Sequence, residues 1–232
     1  MPILELARKK KMSISRVEEY YNALRTNIQL SGENIRVIAI SSTFPGEGKT
    51  TTSTNLALTF AKAGHKTLLV DADIRNSKML GGVFKSDGKV TGLTEYLSGT
   101  TDLSQGLCET DEPNLFVVSS GQISPNPTAL LQSDRFATMM SVLRRHYDYI
   151  IVDTPPIGMV VDATLISRVC DASLLVVAPK EVKRKMVQKS KTQLEQSSTP
   201  FLGVVLNKYN VEADKYGFYG SYGHYGDNLS KE

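Results

Sequence analysis

The chain has no tryptophan, only two cysteines and three histidines among its 232 residues. Cys108 and Cys170 lie far apart and form neither a redox pair nor a zinc-ligand spacing, so buried, reduced thiols are expected. His65, His146 and His224 are isolated, which points to surface or tail positions. No HExxH helix and no GxSxG elbow occurs, which excludes zincin and serine-hydrolase chemistry. HRD and DFG are missing too, which excludes a eukaryotic-type protein kinase. Nothing approaches the roughly 20 apolar residues needed to span a bilayer. The basic stretch Arg8-Lys9-Lys10-Lys11 runs into polar residues and not into the apolar core of a signal peptide. The expectation is a cytoplasmic protein that reaches the inner face of the membrane only through a partner. A net charge of +3, from 27 basic and 24 acidic residues, demands no nucleic-acid partner.

What is present is globular. Apolar residues make up 41% and charged residues 22%, and the length suits one sizeable domain with or without a tail. Such a domain can bury a core without disulfides or metals. Residues 14–31 place Val17, Tyr21, Leu24 and Ile28 on one face of an amphipathic helix that Gly32 stops. Short, unbroken apolar runs follow at 36–41, 67–71, 115–118, 149–153, 174–178 and 201–206. Helical stretches lie between them at 50–63, 133–146, 161–169 and 181–196. Strands of that kind alternating with helices predict a doubly wound α/β domain with a mainly parallel sheet, covered on both faces. Composition changes after Asn210. Residues 216–226 read YGFYGSYGHYG, with tyrosine and then glycine at every third position, which cannot build a helix or packed strand. The chain therefore divides into a domain, 1–210, and a flexible tyrosine-rich tail, 211–232.

Thr43-Phe44-Pro45-Gly46-Glu47-Gly48-Lys49-Thr50 follows a predicted strand and opens a predicted helix, the context a phosphate-binding loop needs. Small residues let the amides of Gly46, Glu47, Gly48, Lys49, Thr50 and Thr51 wrap phosphates, and the helix N-terminus adds positive potential. Lys49 is expected to reach the β- and γ-phosphates of ATP, and the Thr50 hydroxyl is a hard ligand for Mg²⁺. Nothing in the core is expected to need Lys49. Asp71 and Asp73 lie on one side of an extended segment, and Asp153 ends another buried strand. Ligands of open parallel sheets bind at the carboxyl ends of strands, so all three carboxylates should face the loop.

With these segments in view the chain resembles the bacterial tyrosine kinases, in particular the streptococcal capsule and exopolysaccharide autokinases. The resemblance rests on PGEGKTTT (45–52), LLVDADIR (68–75), IIVDTPP (150–156), the EEYYNALRTNI helix (18–28) and the tyrosine-rich tail. It implies a P-loop NTPase-like fold and ATP-dependent autophosphorylation of Tyr216, Tyr219, Tyr222 and Tyr225, between subunits. It implies Lys49 on the phosphates, Thr50, Asp71 and Asp153 at Mg²⁺, and Asp73 supporting that metal shell. Asp71, expected to be ionised at neutral pH, would be the base for the tyrosine hydroxyl. Asn207, ending the last strand, would contact the nucleotide base. Glu19 and Arg25 would pack subunits into a homo-oligomeric ring, although Asn22 stands where the family carries a further arginine. The implied partners are the cytoplasmic tail of a transmembrane polysaccharide co-polymerase and a cognate phosphotyrosine phosphatase. Partition-type ATPases share the fold but carry a second lysine where Phe44 stands. A non-catalytic nucleotide switch docking on a membrane partner would explain the loop but not the tail.

Overall fold

The computed structural model describes residues 2–7, 17–86, 88 and 90–209; the tyrosine-rich tail lies outside them. Among the described residues nine strands form one sheet: β1 (Ile3–Leu6), β2 (Val37–Ser42), β3 (Thr67–Asp71), β4 (Phe84–Lys85), β5 (Leu107–Thr110), β6 (Leu115–Val118), β7 (Tyr149–Asp153), β8 (Ala172–Val177) and β9 (Phe201–Leu206). Their order is β4-β1-β5-β6-β3-β7-β2-β8-β9. From β6 to β9 every pairing is parallel, and antiparallel pairs occur only where β5 meets β6 and β1 meets β4.

The helices are α1 (Glu18–Ser31), α2 (Lys49–Lys62), α3 (Leu93–Ser98), α4 (Pro127–Leu131), α5 (Asp134–Leu143), α6 (Asp162–Ser167) and α7 (Arg184–Glu195), with single helical turns at Met79–Gly82 and Leu103–Gly106. Side chains alternate along a strand, so the central strands feed two cores. Ile38, Ile40, Leu69 and Ile151 pack with Leu56 and Phe60 of α2 and Tyr21 and Ile28 of α1. Val37, Ala39, Leu68, Val70, Ile150 and Val152 pack with Phe136, Met139 and Leu143 of α5 and Ile166 of α6. This is the doubly wound arrangement the apolar runs predict. Both cysteines are buried and free.

The predicted strands at 67–71, 115–118, 149–153 and 201–206 stand with those bounds. The strands β1, β4 and β5 and the short helices α3 and α4 are additional to the sequence reading. The first helix begins at Glu18 within the described residues, with Glu18 and Glu19 in its first turn facing the N-terminal dipole.

Candidate nucleotide and phosphoryl-transfer site

The site forms where β2, β3 and β7 end side by side. β2 runs into the loop 43–48 and then α2. Gly46 at φ 89° and Gly48 at φ 98° occupy left-handed backbone that glycine adopts without penalty. A Cβ at Gly48 would lie 1.9 Å from Asn207 Nδ2, so the loop is also pressed against the end of β9. Asn207 Nδ2 donates to the Glu47 carbonyl oxygen at 2.8 Å. Asn207, expected at the nucleotide base, thus stands beside the phosphate loop and holds its backbone. Glu47 adds a second hold through its side chain. Its carboxylate turns inward, 1% exposed, and accepts from the backbone N–H of Phe44 at 2.6 Å and of Ala178 at 3.2 Å. The loop is therefore clamped from inside and from its flank, leaving its amides for phosphate.

Register places Asp71 opposite Asp153 on the adjacent ends of β3 and β7. Lys49 Nζ lies 2.8 Å from Asp73 Oδ2 and 3.9 Å from Asp153 Oδ2. Burial alone would lower the Lys49 pKa, but Asp153 and Asp73 outweigh it and hold the pKa above its ordinary value. The ammonium stays charged. Thr50 Oγ1 donates to Asp153 Oδ2 at 2.6 Å, and Ser53 Oγ, one helical turn on, donates to Asp153 Oδ1 at 3.0 Å. Burial raises the Asp153 pKa, opposed by Lys49 and these two hydroxyls.

Asp71 is fully buried, and its Oδ2 accepts from Ser77 Oγ. Burial and the Asp153 charge push its pKa up to about 7, against the Ser77 hydrogen bond and Lys49. The expectation of a fully ionised Asp71 at neutral pH therefore does not hold for the unliganded site, because a carboxylate this deep loses its hydration. Asp73, by contrast, lines the open cavity.

That cavity, about 470 Å³, is walled by Lys49, Thr50, Thr51, Asp73, Arg75 and Met159 among others. Arg75 forms a bidentate pair with Asp162 at the start of α6, Nε to Oδ2 at 2.6 Å and Nη2 to Oδ1 at 3.2 Å. The Thr128 hydroxyl of α4 accepts from Arg75 Nη2 at 2.7 Å and donates to Asp162 Oδ1 at 2.9 Å. Arg75 belongs to the segment 68–75, but Asp162, Thr128, Ser53 and Ser77 carried no sequence signal for the site. Only the helical spacing of Ser53 from Lys49 could have marked one of them.

The donor set suits Mg²⁺. Three carboxylates against one ammonium leave a formal excess of two negative charges, the donors are hard oxygens, and Asp71 Oδ1 is buried without a hydrogen-bond partner. Among the described residues no group of three or more His, Cys, Asp or Glu side chains is arranged to cage a metal. Mg²⁺ with a nucleotide needs none, since it keeps waters and takes phosphate oxygens beside one or two protein ligands.

Glu19 and Arg25 stand on α1, away from this cluster. Arg25 Nη1 reaches the Thr59 carbonyl oxygen of α2 at 3.5 Å, and it is Glu18, not Glu19, that pairs with Lys62, at 2.9 Å. Tyr216, Tyr219, Tyr222 and Tyr225 lie outside the described residues. No helix among the described residues is long and apolar enough to cross a membrane.

A family model described as an AAA domain matches residues 35–194. The chain is similar to the tyrosine-protein kinase CpsD of Streptococcus pneumoniae, 62% identical over 97% of this chain and 99% of that protein. To CpsD of Streptococcus agalactiae it is 52% identical, over 95% and 96% of the two chains. Among solved structures, the kinase domain of the Escherichia coli tyrosine kinase ETK superposes with a TM-score of 0.77 at 32% identity, covering 83% of this chain and 77% of that one.

Proposed function

We propose that this chain, which belongs to the bacterial tyrosine kinases and is a protein-tyrosine kinase, uses ATP to phosphorylate its own tail tyrosines. The observation that carries the proposal is that β9, the last strand before the tail in sequence, ends beside the phosphate loop. β9 runs parallel to β8 and ends at Leu206, and the next residue, Asn207, already holds the Glu47 carbonyl. The described chain before the tail therefore passes the phosphate loop at Asn207. From Asn210, Tyr216 and Tyr225 reach at most about 20 and 50 Å when extended, enough for the site of a neighbouring subunit in a ring.

Phosphoryl transfer is mostly positioning and charge stabilisation. Lys49 and the loop amides hold the phosphates, and Asp73 aims the Lys49 ammonium at the cavity. Mg²⁺, when bound at Thr50 and Asp153, supplies charge against the phosphate oxygens. Asp71 and Asp73 are the candidate acceptors of the tyrosine proton. Asp71 has its raised pKa and a free Oδ1, while Asp73 has direct access to the cavity. A base poised near 7 combines the ionised form with proton affinity.

The proposed setting is regulation of capsular or exopolysaccharide polymerisation and export, with activation by the cytoplasmic tail of a membrane co-polymerase and reversal by a phosphotyrosine phosphatase. A partition-type switch is disfavoured by Phe44 at the position of the second lysine. The test mixes a Lys49→Met chain bearing the tail with an active chain truncated after Asn210. Phosphate on the dead chain supports transfer between subunits, and an unlabelled dead chain rejects it.

A further inference from the structure

The outer face of the first turns of α7 and the segment leading into it are basic. Lys180, Lys183, Arg184, Lys185 and Lys189 are all exposed, and none has an ion-pair partner among the described residues. The acids of this stretch are engaged elsewhere, Glu181 by Lys208 at 3.0 Å and Glu195 by Lys191 at 3.0 Å. The opposite face of the helix is fixed in the core through Ser190 and Leu194. Lys185 and Lys189 stand one turn apart, where like charges repel. The face is built to meet an anion larger than a single carboxylate.

The Lys208–Glu181 pair sets Lys208, one of the last described residues, against Glu181, two positions before Lys183. Residues 209–232 carry two lysines and four acidic side chains, net −2. Four phosphotyrosines would add about −6 to −8. Tyr216 and Tyr225 stand seven and sixteen residues beyond Tyr209, at most about 25 and 55 Å when extended. The twelve residues of α7 span about 18 Å. Charge and reach both match.

We infer that the phosphorylated tail of the same chain docks on the basic face of α7, through phosphate on Tyr216, Tyr219, Tyr222 or Tyr225 against Lys183, Arg184, Lys185 and Lys189. The inference rests on the reading of the tail as phosphoacceptor. Docking there draws the modified tyrosines away from the nucleotide cavity, so phosphorylation limits itself and frees the site for unmodified tails.

The experiment uses the full-length dephosphorylated chain and two fluorescent synthetic peptides of residues 209–232, one with all four tyrosines phosphorylated and one with none. Binding is read by anisotropy with and without a saturating non-hydrolysable ATP analogue, which fills the nucleotide site without phosphorylating the tail. The phosphopeptide is expected to bind, with affinity falling as salt rises. The triple variant Lys183→Gln/Arg184→Gln/Lys185→Gln, and separately Lys185→Glu, should weaken it roughly tenfold, the order several screened charge pairs give together. Far-UV circular dichroism checks that each variant is folded. No binding, equal binding of the unphosphorylated peptide, loss of binding with the non-hydrolysable analogue, or indifference to the α7 substitutions would each overturn the inference. So would capture of the chain by phosphatidylglycerol vesicles through these residues without phosphopeptide binding, which would make the face a lipid surface. Because the peptides are synthetic, their result stands whether or not the chain phosphorylates its own tail.

Discussion

Lys49 Nζ is held 2.8 Å from Asp73 Oδ2, joining the phosphate loop to the segment just after β3 by one partly buried ion pair. The lysine is thus both a phosphate ligand in waiting and the cation that makes three neighbouring carboxylates tolerable. The expectation that nothing in the core needs Lys49 is corrected by that pair.

Lys49→Met should lower tyrosine phosphorylation by at least about 10²-fold, the scale on which a transition-state charge contact acts. It should also destabilise the unliganded protein more at pH 8 than at pH 5. At pH 8 the abandoned carboxylates are ionised, and at pH 5 Asp71 carries a proton. Thermal unfolding at both pH values checks this, and a loss of stability equal at the two would contradict it.

Asp71 gives a pH dependence of opposite sign to an ordinary carboxylate. Its folded pKa of about 7 lies above the unfolded value near 3.8. Between these values the folded state binds the extra proton, so its contribution to stability is complete below about pH 4 and is lost as pH rises through 7. Asp71→Asn should therefore raise unliganded stability at pH 8, by roughly 4 kcal/mol, and change little below about pH 4. If Asp71 is also the base, the same substitution lowers phosphoryl transfer about 10²–10⁴-fold while ATP affinity falls much less.

The Arg75–Asp162 pair should behave as a unit. Asp162 is fully buried, so Arg75→Ala leaves its carboxylate unpaired and should cost about 2–4 kcal/mol in urea unfolding. Adding Asp162→Asn should return part of that loss, because the orphaned charge is gone. Strictly additive losses would show that the two side chains do not share an interaction.

Gly48→Ala should abolish ATP binding, since its Cβ would strike Asn207 Nδ2 and its φ is strained for any other residue. Asn207→Ala should weaken ATP binding through the loosened loop, and the double variant should recover little, because the backbone strain remains. Equilibrium titration with a fluorescent ATP analogue reads both effects.

The parts of this arrangement legible in the sequence are those fixed by local spacing. β2, the glycines and Lys49 lie within one short segment, and strand periodicity carries Asp71 and Asp153 to the same sheet edge. What stayed hidden depends on partners distant in the chain. Asp162 falls inside a predicted helix, but nothing near it names Arg75, 87 positions earlier. Spacing likewise sets the backbone of Glu47 without deciding that its carboxylate turns inward to Phe44 and Ala178. β1 has four residues, too few for a period, and β5 pairs antiparallel in a sheet whose centre reads as parallel.

The central claim, that this site transfers phosphate from ATP to the chain's own tail, is tested most directly by mapping phosphotyrosine. The full-length chain is incubated with Mg²⁺, ATP and the co-polymerase's cytoplasmic peptide, with Lys49→Met alone as the control. The account predicts phosphate on Tyr216, Tyr219, Tyr222 and Tyr225 of the wild-type chain and none on the control. ATP hydrolysis with all four tyrosines unmodified would contradict it.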